Sequence, residues 1–230
     1  MDSAEFDKFA EEYAAMHSGS IRASGEGPEY FAEYKVRDVA RHLATHGLSV
    51  QRVLDFGCGI GGTIPYFRRY LPNSQLTCVD VSQKSLDIAR SRFPAAAEYR
   101  LFDGQLLPFA DNTFDLIFTA CVFHHIPVAE HVRLLSEIRR VLTPGGNFFV
   151  FEHNPLNPLT VRVVNQCPFD ENAVLITSGE LSNRLVSAQF RLIRHRYRIF
   201  FPKSLKVLRG LESILGWCPL GAQYYLNARK

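Results

Sequence analysis

At 230 residues, 47% hydrophobic and 21% charged, the chain has the length for one sizeable core and an ordinary globular composition. A formal charge of +3 selects no class of partner, although the tract 190–210 carries seven bases and no acid while residues 1–38 carry nine acids and four bases. Five scattered cysteines without a CxxC pair or Cys/His cluster exclude a disulfide framework and indicate no metal site, and an acidic N-terminus with no apolar run of ~18 residues predicts a cytoplasmic chain without signal peptide or membrane insertion.

In chain order, Asp2–His17 predicts a short amphipathic helix with Phe6, Phe9, Ala10 and Tyr13 on one face. A Gly/Ser-rich loop covers Ser18–Pro28, and Glu29–His46 predicts a second helix stopped near Gly47. Short apolar runs then alternate with amphipathic stretches. Arg52–Phe56, Gln75–Val79, Ala97–Phe102, Phe114–Thr119 and Gly146–Phe151 predict strands; Thr63–Tyr70, Gln83–Phe93 and Val128–Val141 predict helices. That alternation, with strands apolar throughout, predicts an α/β fold: a parallel sheet covered by helices on both faces.

After Phe151 the pattern changes. Two Asn-Pro pairs in His153–Pro158 predict turns and no helix. Cys167–Asp170 predicts another turn, and Ser178–Phe190 a helix capped by Ser178. Ile193–Ile199 alternates, with Arg194, Arg196 and Arg198 on its polar face, and Tyr224–Ala228 predicts a last strand returning antiparallel beside it. The expected organisation is one domain: a helical lid over 1–46, a ligand-binding core over 52–151, an acceptor-side insertion over 152–190 and C-terminal strands over 191–230.

The chemistry concentrates in Val53–Gly62, an apolar strand entering a glycine loop and then a helix. Glycine lets a backbone turn sharply and approach a ligand with no Cβ between, and the first such turn of a doubly wound sheet is where nucleotide-like ligands bind. Gly57, Gly59 and Gly62 satisfy G-x-G-x-x-G, so an NAD(P)-dependent oxidoreductase is one reading. Asp80 would accept ribose hydroxyls from either a dinucleotide or an adenosyl ligand. Asp55 discriminates: a carboxylate two residues before the first glycine repels a pyrophosphate and attracts an ammonium or sulfonium. Asp103, at the next strand end, offers an acceptor for an adenine amino group beside the Gly104 N–H. No tyrosine is followed by lysine four residues on, so the Tyr-x-x-x-Lys pair of short-chain dehydrogenases is missing.

On these residues the chain resembles the class I S-adenosylmethionine-dependent methyltransferases of the small-molecule type. The matching blocks are Val53–Gly62, Cys78–Ser82, Leu101–Phe109, Phe114–Thr119 and Leu134–Phe151, in the family's order across about 100 residues. The resemblance implies a Rossmann-like doubly wound sheet of seven strands, mostly parallel with an antiparallel C-terminal strand. It implies that Asp55 with Gly57, Cys58, Gly59 and Gly61 holds the methionine end of S-adenosyl-L-methionine. Asp80 and Val81 would meet the ribose, Asp103 and Gly104 the adenine, and the Thr119 backbone the amino-acid portion. Tyr13 would lie on a lid over the cofactor, with His17 reaching the acceptor.

Methyl transfer from a sulfonium is an in-line displacement, so the protein must align the reactants and exclude water; a base is needed only when the acceptor must lose a proton early. His124, in Cys121–Ile126 past the fourth strand, is the base candidate, with His125 read as structural. Relatives that hold a divalent ion here place an acid where this chain has Cys121, so no metal is expected. Phe123, Glu152, His153 and Asn154 are expected at the acceptor, His153 with a catalytic role, and Asn154–Pro158 with Phe169 as a stiff wall. Lys35 offers a partner for the cofactor's carboxylate, but a helix-surface lysine is the preferred reading. Arg194, Arg196 and Arg198 would suit an anionic acceptor. No Asn/Asp-Pro-Pro-aromatic tetrapeptide supports a nucleic-acid substrate. The expected activity is O-, N- or C-methylation of a small molecule in secondary or glycan metabolism, with S-adenosyl-L-homocysteine as product. An intact glycine loop with three acids speaks against a catalytically idle binding domain.

Overall fold

The computed structural model describes residues 25–230, so the helix expected over Asp2–His17, with Tyr13 and His17, lies outside the described residues. Helix α1 (Pro28–Thr45) precedes β1 (Arg52–Phe56), α2 (Ile64–Tyr70), β2 (Gln75–Asp80), α3 (Gln83–Arg92), β3 (Glu98–Leu101) and β4 (Phe114–Ala120). There follow α4 (His131–Val141), β5 (Leu142–His153), α5 (Pro158–Asn165), α6 (Ser178–Ser187), β6 (Arg191–Arg198), the one-turn α7 (Glu212–Leu215) and β7 (Gln223–Arg229). The strands form one sheet in the order β3-β2-β1-β4-β5-β7-β6. β7 pairs antiparallel with both β5 and β6, and the other pairings are parallel.

Strand alternation divides the apolar residues between two layers. Leu54, Ile117, Phe148 and Val150 face a core shared with Leu134, Leu135 and Ile138 of α4 and with Leu181 and Leu185 of α6. Val53, Leu116, Phe118, Phe149 and Phe151 face the opposite core, with Val36, Val39 and Leu43 of α1, Phe67 of α2 and Leu86 of α3. Both faces are thereby covered, the condition under which a parallel sheet is stable and the reason its central strands β1 and β4 are mostly apolar and buried. The order reverses between β1 and β4, which opens a crevice at their carboxyl ends.

The structure corrects the C-terminal third in four places. Asn157-Pro158 starts α5 instead of excluding a helix: the Asn157 side chain accepts from the Leu159 and Thr160 N–H groups, and proline occupies the first turn, where it forfeits no hydrogen bond. Thr177, not Ser178, caps α6, in a reciprocal box with Glu180. The alternation of β6 is interrupted by a bulge between Leu192 and Arg194, which leaves Ile193 exposed. Arg198, expected on an exposed face, pairs with the buried Asp38 of α1 at 2.5 Å.

Asn154 joins two segments beneath the crevice. Its side-chain amide donates to the Pro219 and Gly221 carbonyls at 2.9 and 2.7 Å, while its oxygen accepts from the Leu156 N–H at 3.1 Å. Asn154→Ala is expected to lower unfolding stability by ~1–3 kcal/mol, because the buried Gly221 carbonyl loses its donor. Denaturant titration measures the loss; unchanged stability would refute this bracing role.

Candidate functional site

At the end of β1 the chain turns through Gly57–Gly62. The Gly57 and Cys58 N–H groups donate to the Val79 carbonyl, at 2.9 and 3.1 Å, which pins the loop to β2. Gly57 has φ +75°, and a Cβ there would lie 2.4 Å from Val122 Cγ2, so only glycine lets this loop pass the turn after β4. Gly59 has φ +52° with nothing within 4 Å of where a Cβ would stand. Its N–H donates to Asp80 Oδ2 at 2.8 Å, and Asp80 Oδ1 accepts from the Ser82 N–H at 3.0 Å. Asp55 is 1% exposed; it accepts from the Thr63 hydroxyl at 2.5 Å. Burial pushes its pKa up to about 7, the Thr63 hydrogen bond opposing and the Asp80 charge adding to the rise.

These groups line one cavity of about 850 Å³. Its glycine-loop end carries Asp55, Gly57, Cys58, Gly59, Asp80 and Val81; Lys35 comes from α1, and the far wall carries His124, His125, His153 and Asp170. Leu159, Val163, Phe200 and Phe201 add apolar surface, and Arg162 a charge.

The histidine wall is built by two turns and a strand end. Cys121, at φ +59°, bends the chain out of β4 into a 3-10 turn over Phe123–His125. A non-glycine residue in this region is strained, and such strain collects at functional sites. His124 Nδ1 lies 2.6 Å from Glu152 Oε2, while Glu152 Oε1 accepts from the Val122 and Phe123 N–H groups at 3.1 and 2.8 Å. Burial alone would lower the pKa of His124, but Glu152 and Asp170 outweigh it and hold the ring's pKa raised. Burial and the neighbouring His124 charge push His125 and His153 down, to about 3 and about 4.

Several residues expected at the ligands stand behind the wall. β5 runs to His153, so Glu152 and His153 are consecutive strand residues on opposite faces. His153 therefore reaches the cavity, whereas Glu152 turns away to brace His124. Phe123 is fully buried in the apolar core, and Asn154 is consumed in loop contacts. Neither lines the cavity. Thr119 is buried with its hydroxyl unpartnered, and Gly61 packs between Ile64 and Ala89. Asp103 accepts from the Leu106 and Gln105 N–H groups, which lowers its pKa, and with Gly104 stands off the cavity that its neighbour Phe102 lines. Arg194, Arg196 and Arg198 sit on the edge strand, away from the cavity.

Of two further residues at the wall, Lys35 has a preferred surface reading that burial corrects, and Asp170 escaped the sequence. Lys35 is buried, with Nζ 3.6 Å from Cys121 Sγ; its spacing of four from Phe31 was the available signal. Asp170 lies in a 3-10 turn, and nothing in Cys167–Asp170 marked it as facing the histidines.

Residues 54–150 match the family described as "Methyltransferase domain". Demethylmenaquinone methyltransferase of Symbiobacterium thermophilum is 34% identical over 153 residues, covering 64% of this chain and 57% of that one. Fatty-acid O-methyltransferase of Mycolicibacterium smegmatis is 34% identical over 106 residues, 46% of this chain and 38% of that one. The chain thus spans little more than half, or less, of these relatives' length. An S-adenosylmethionine-dependent methyltransferase from Aquifex aeolicus superposes with a TM-score of 0.65 at 17% identity, over 100% of this chain and 98% of that one. Residues 54–150 thus match a methyltransferase domain, and they are set in a seven-stranded sheet whose fold is shared with S-adenosylmethionine-dependent methyltransferases.

Proposed function

We propose that the chain transfers the methyl group of S-adenosylmethionine to a small-molecule acceptor with an apolar body and an oxygen or carbon nucleophile. One observation carries this reading: a single cavity joins a carboxylate-lined glycine cradle to a histidine wall. The cradle fits the cofactor. Asp55, buried and accepting from Thr63, gains a cationic partner there, and Gly59 leaves open the space a side chain would fill. Asp80 accepts ribose hydroxyls, Lys35 pairs with the amino-acid carboxylate, and Phe102 and Val81 lie against the adenine. Bound, the cofactor supplies an electrophilic methyl on a sulfonium.

The acceptor enters between Leu159, Val163 and Phe200, which support an apolar body, as do the demethylmenaquinone and fatty-acid methyltransferases among the relatives. His124 is engaged by Glu152 at one nitrogen and directed at Asp170 by the other, so it orients instead of serving as a free base. His153, its ring 5.3 Å from that of His124, is the group placed to receive an acceptor proton. Among the described residues no helix is long and apolar enough to cross a membrane.

The test is methyl transfer from labelled S-adenosylmethionine to quinol, fatty-acid and phenolic acceptors, alongside calorimetric titration of S-adenosylhomocysteine. Cofactor binding with a labelled product is the expected result, and failure to bind either sulfur compound would overturn the reading. Asp80→Ala is expected to weaken both compounds alike by ~1–3 kcal/mol through lost charge-assisted hydrogen bonds. An unaltered affinity would place the ribose elsewhere.

Asp55→Asn separates charge from shape. Because burial raises its pKa from 3.8 to about 7, the folded chain keeps a proton in this interval that the unfolded chain has released. Its contribution to stability is complete below the unfolded value and is lost as pH rises through the folded one. The neutral variant is therefore expected to melt higher than wild type above pH 7, while its preference for the sulfonium over the uncharged thioether falls roughly tenfold, about 1.4 kcal/mol. Thermal melts across pH and paired titrations check both; an equal loss for both compounds would show that the Asp55 charge does not read the sulfonium.

A further inference from the structure

Two turns converge on one point of the cavity wall. His124 Nε2 and His125 Nε2, from the turn after β4, stand 3.5 and 3.4 Å from Asp170 Oδ1, from the turn after α5, and the three groups' ligand atoms lie within 4.8 Å of one another. Both separations are longer than a good hydrogen bond, and among the described residues the buried His124 Nε2 meets no closer partner than Asp170. They match instead the spacing of ligands around one ion: with metal–ligand bonds of ~2.0–2.1 Å, tetrahedral neighbours stand about 3.4 Å apart.

The second, independent observation lies behind His124. Its Nδ1 faces the Glu152 carboxylate at 2.6 Å, and Glu152 is itself fixed by two backbone N–H donors. A carboxylate holding the far nitrogen orients a metal-binding imidazole and directs its other lone pair at the ion. An ordinary ion pair does not require Nε2 to be left over and aimed at another histidine and a carboxylate.

We propose that His124, His125 and Asp170 bind one divalent transition-metal ion, zinc above others, with Glu152 as the positioning residue for His124. Two imidazoles and one carboxylate suit zinc better than magnesium or calcium, which take mainly oxygen ligands. Three protein ligands leave a coordination position open toward the cavity, the arrangement of catalytic rather than structural zinc. That position would take an oxygen of the acceptor; this use rests on the proposed methyl transfer, whereas binding of the ion does not. The site departs from the expectation of no metal because Asp170 lies 45 residues beyond His125 and only the fold brings them together.

The full chain, stripped with a chelator and dialysed, is titrated with Zn²⁺ by calorimetry and with Co²⁺ by visible absorption. One ion per chain is expected, with the absorption bands of low-coordinate Co²⁺. Asp170→Asn and His125→Gln should each weaken Zn²⁺ by about 100-fold or more, and Glu152→Gln by roughly 10- to 100-fold with the stoichiometry kept. A merely structural Glu152 would leave the affinity of the folded variant unchanged. The Co²⁺ spectrum of the wild type requires no variant to fold. Absence of binding at about 100 μM free ion, or affinity indifferent to all three substitutions, would overturn the proposal. S-adenosylhomocysteine titrated into the same samples separates the two readings, since the cradle can bind while the metal site fails, and the reverse.

Discussion

A parallel sheet buried on both faces leaves polar chemistry no place except the ends of its strands. The whole arrangement of this molecule follows from that constraint. The side chains of β1, β4 and β5 are spent on two apolar layers, and the groups that can bind or react gather where those strands stop. Because the strand order reverses between β1 and β4, the loops after them diverge, and the cavity lies in the gap. Gly57 closes the geometry: with a side chain there, the loop after β1 would collide with Val122 on the loop after β4.

The cavity is divided by charge. At the glycine loop, Asp55 and Asp80 form an anionic end whose inner carboxylate is poorly solvated and gains from a bound cation. At the other end three histidines and Asp170 share a buried site braced by Glu152. Lys35 stands between, carried in by α1. Such a division suits the binding of a cationic ligand at the glycine loop, where the inner carboxylate attracts positive charge. Phe200, Phe201 and Leu159 add apolar surface to the same cavity.

Asp55 also illustrates function working against stability. A buried carboxylate with a raised pKa is unfavourable in the ligand-free chain, and its retention is explained by what it binds. The strained backbone at Cys121 has the same character: the conformation that costs free energy is the one that turns His124 and His125 into the cavity.

Local pattern was enough for the sheet, because apolar strands with amphipathic helices between them have one stable layering, and for the glycine cradle with Asp55 and Asp80, because loop and acids lie within 26 residues. Periodicity cannot see contacts between distant segments. It left Glu152 and His153 equivalent until β5, extending to His153, put them on opposite faces. It did not show that the Asp103 carboxylate accepts from two N–H groups of its own turn. Lys35 reads as surface until α1 lies against the sheet, and Asp170 is an ordinary turn residue until the fold sets it 3.4 Å from a histidine 45 positions earlier. The sequence by itself determined the layers and the glycine loop, which depend on neighbours in the chain. Only tertiary packing decided which side chains form the histidine wall, since that wall is assembled from turns whose local sequences carry no information about one another.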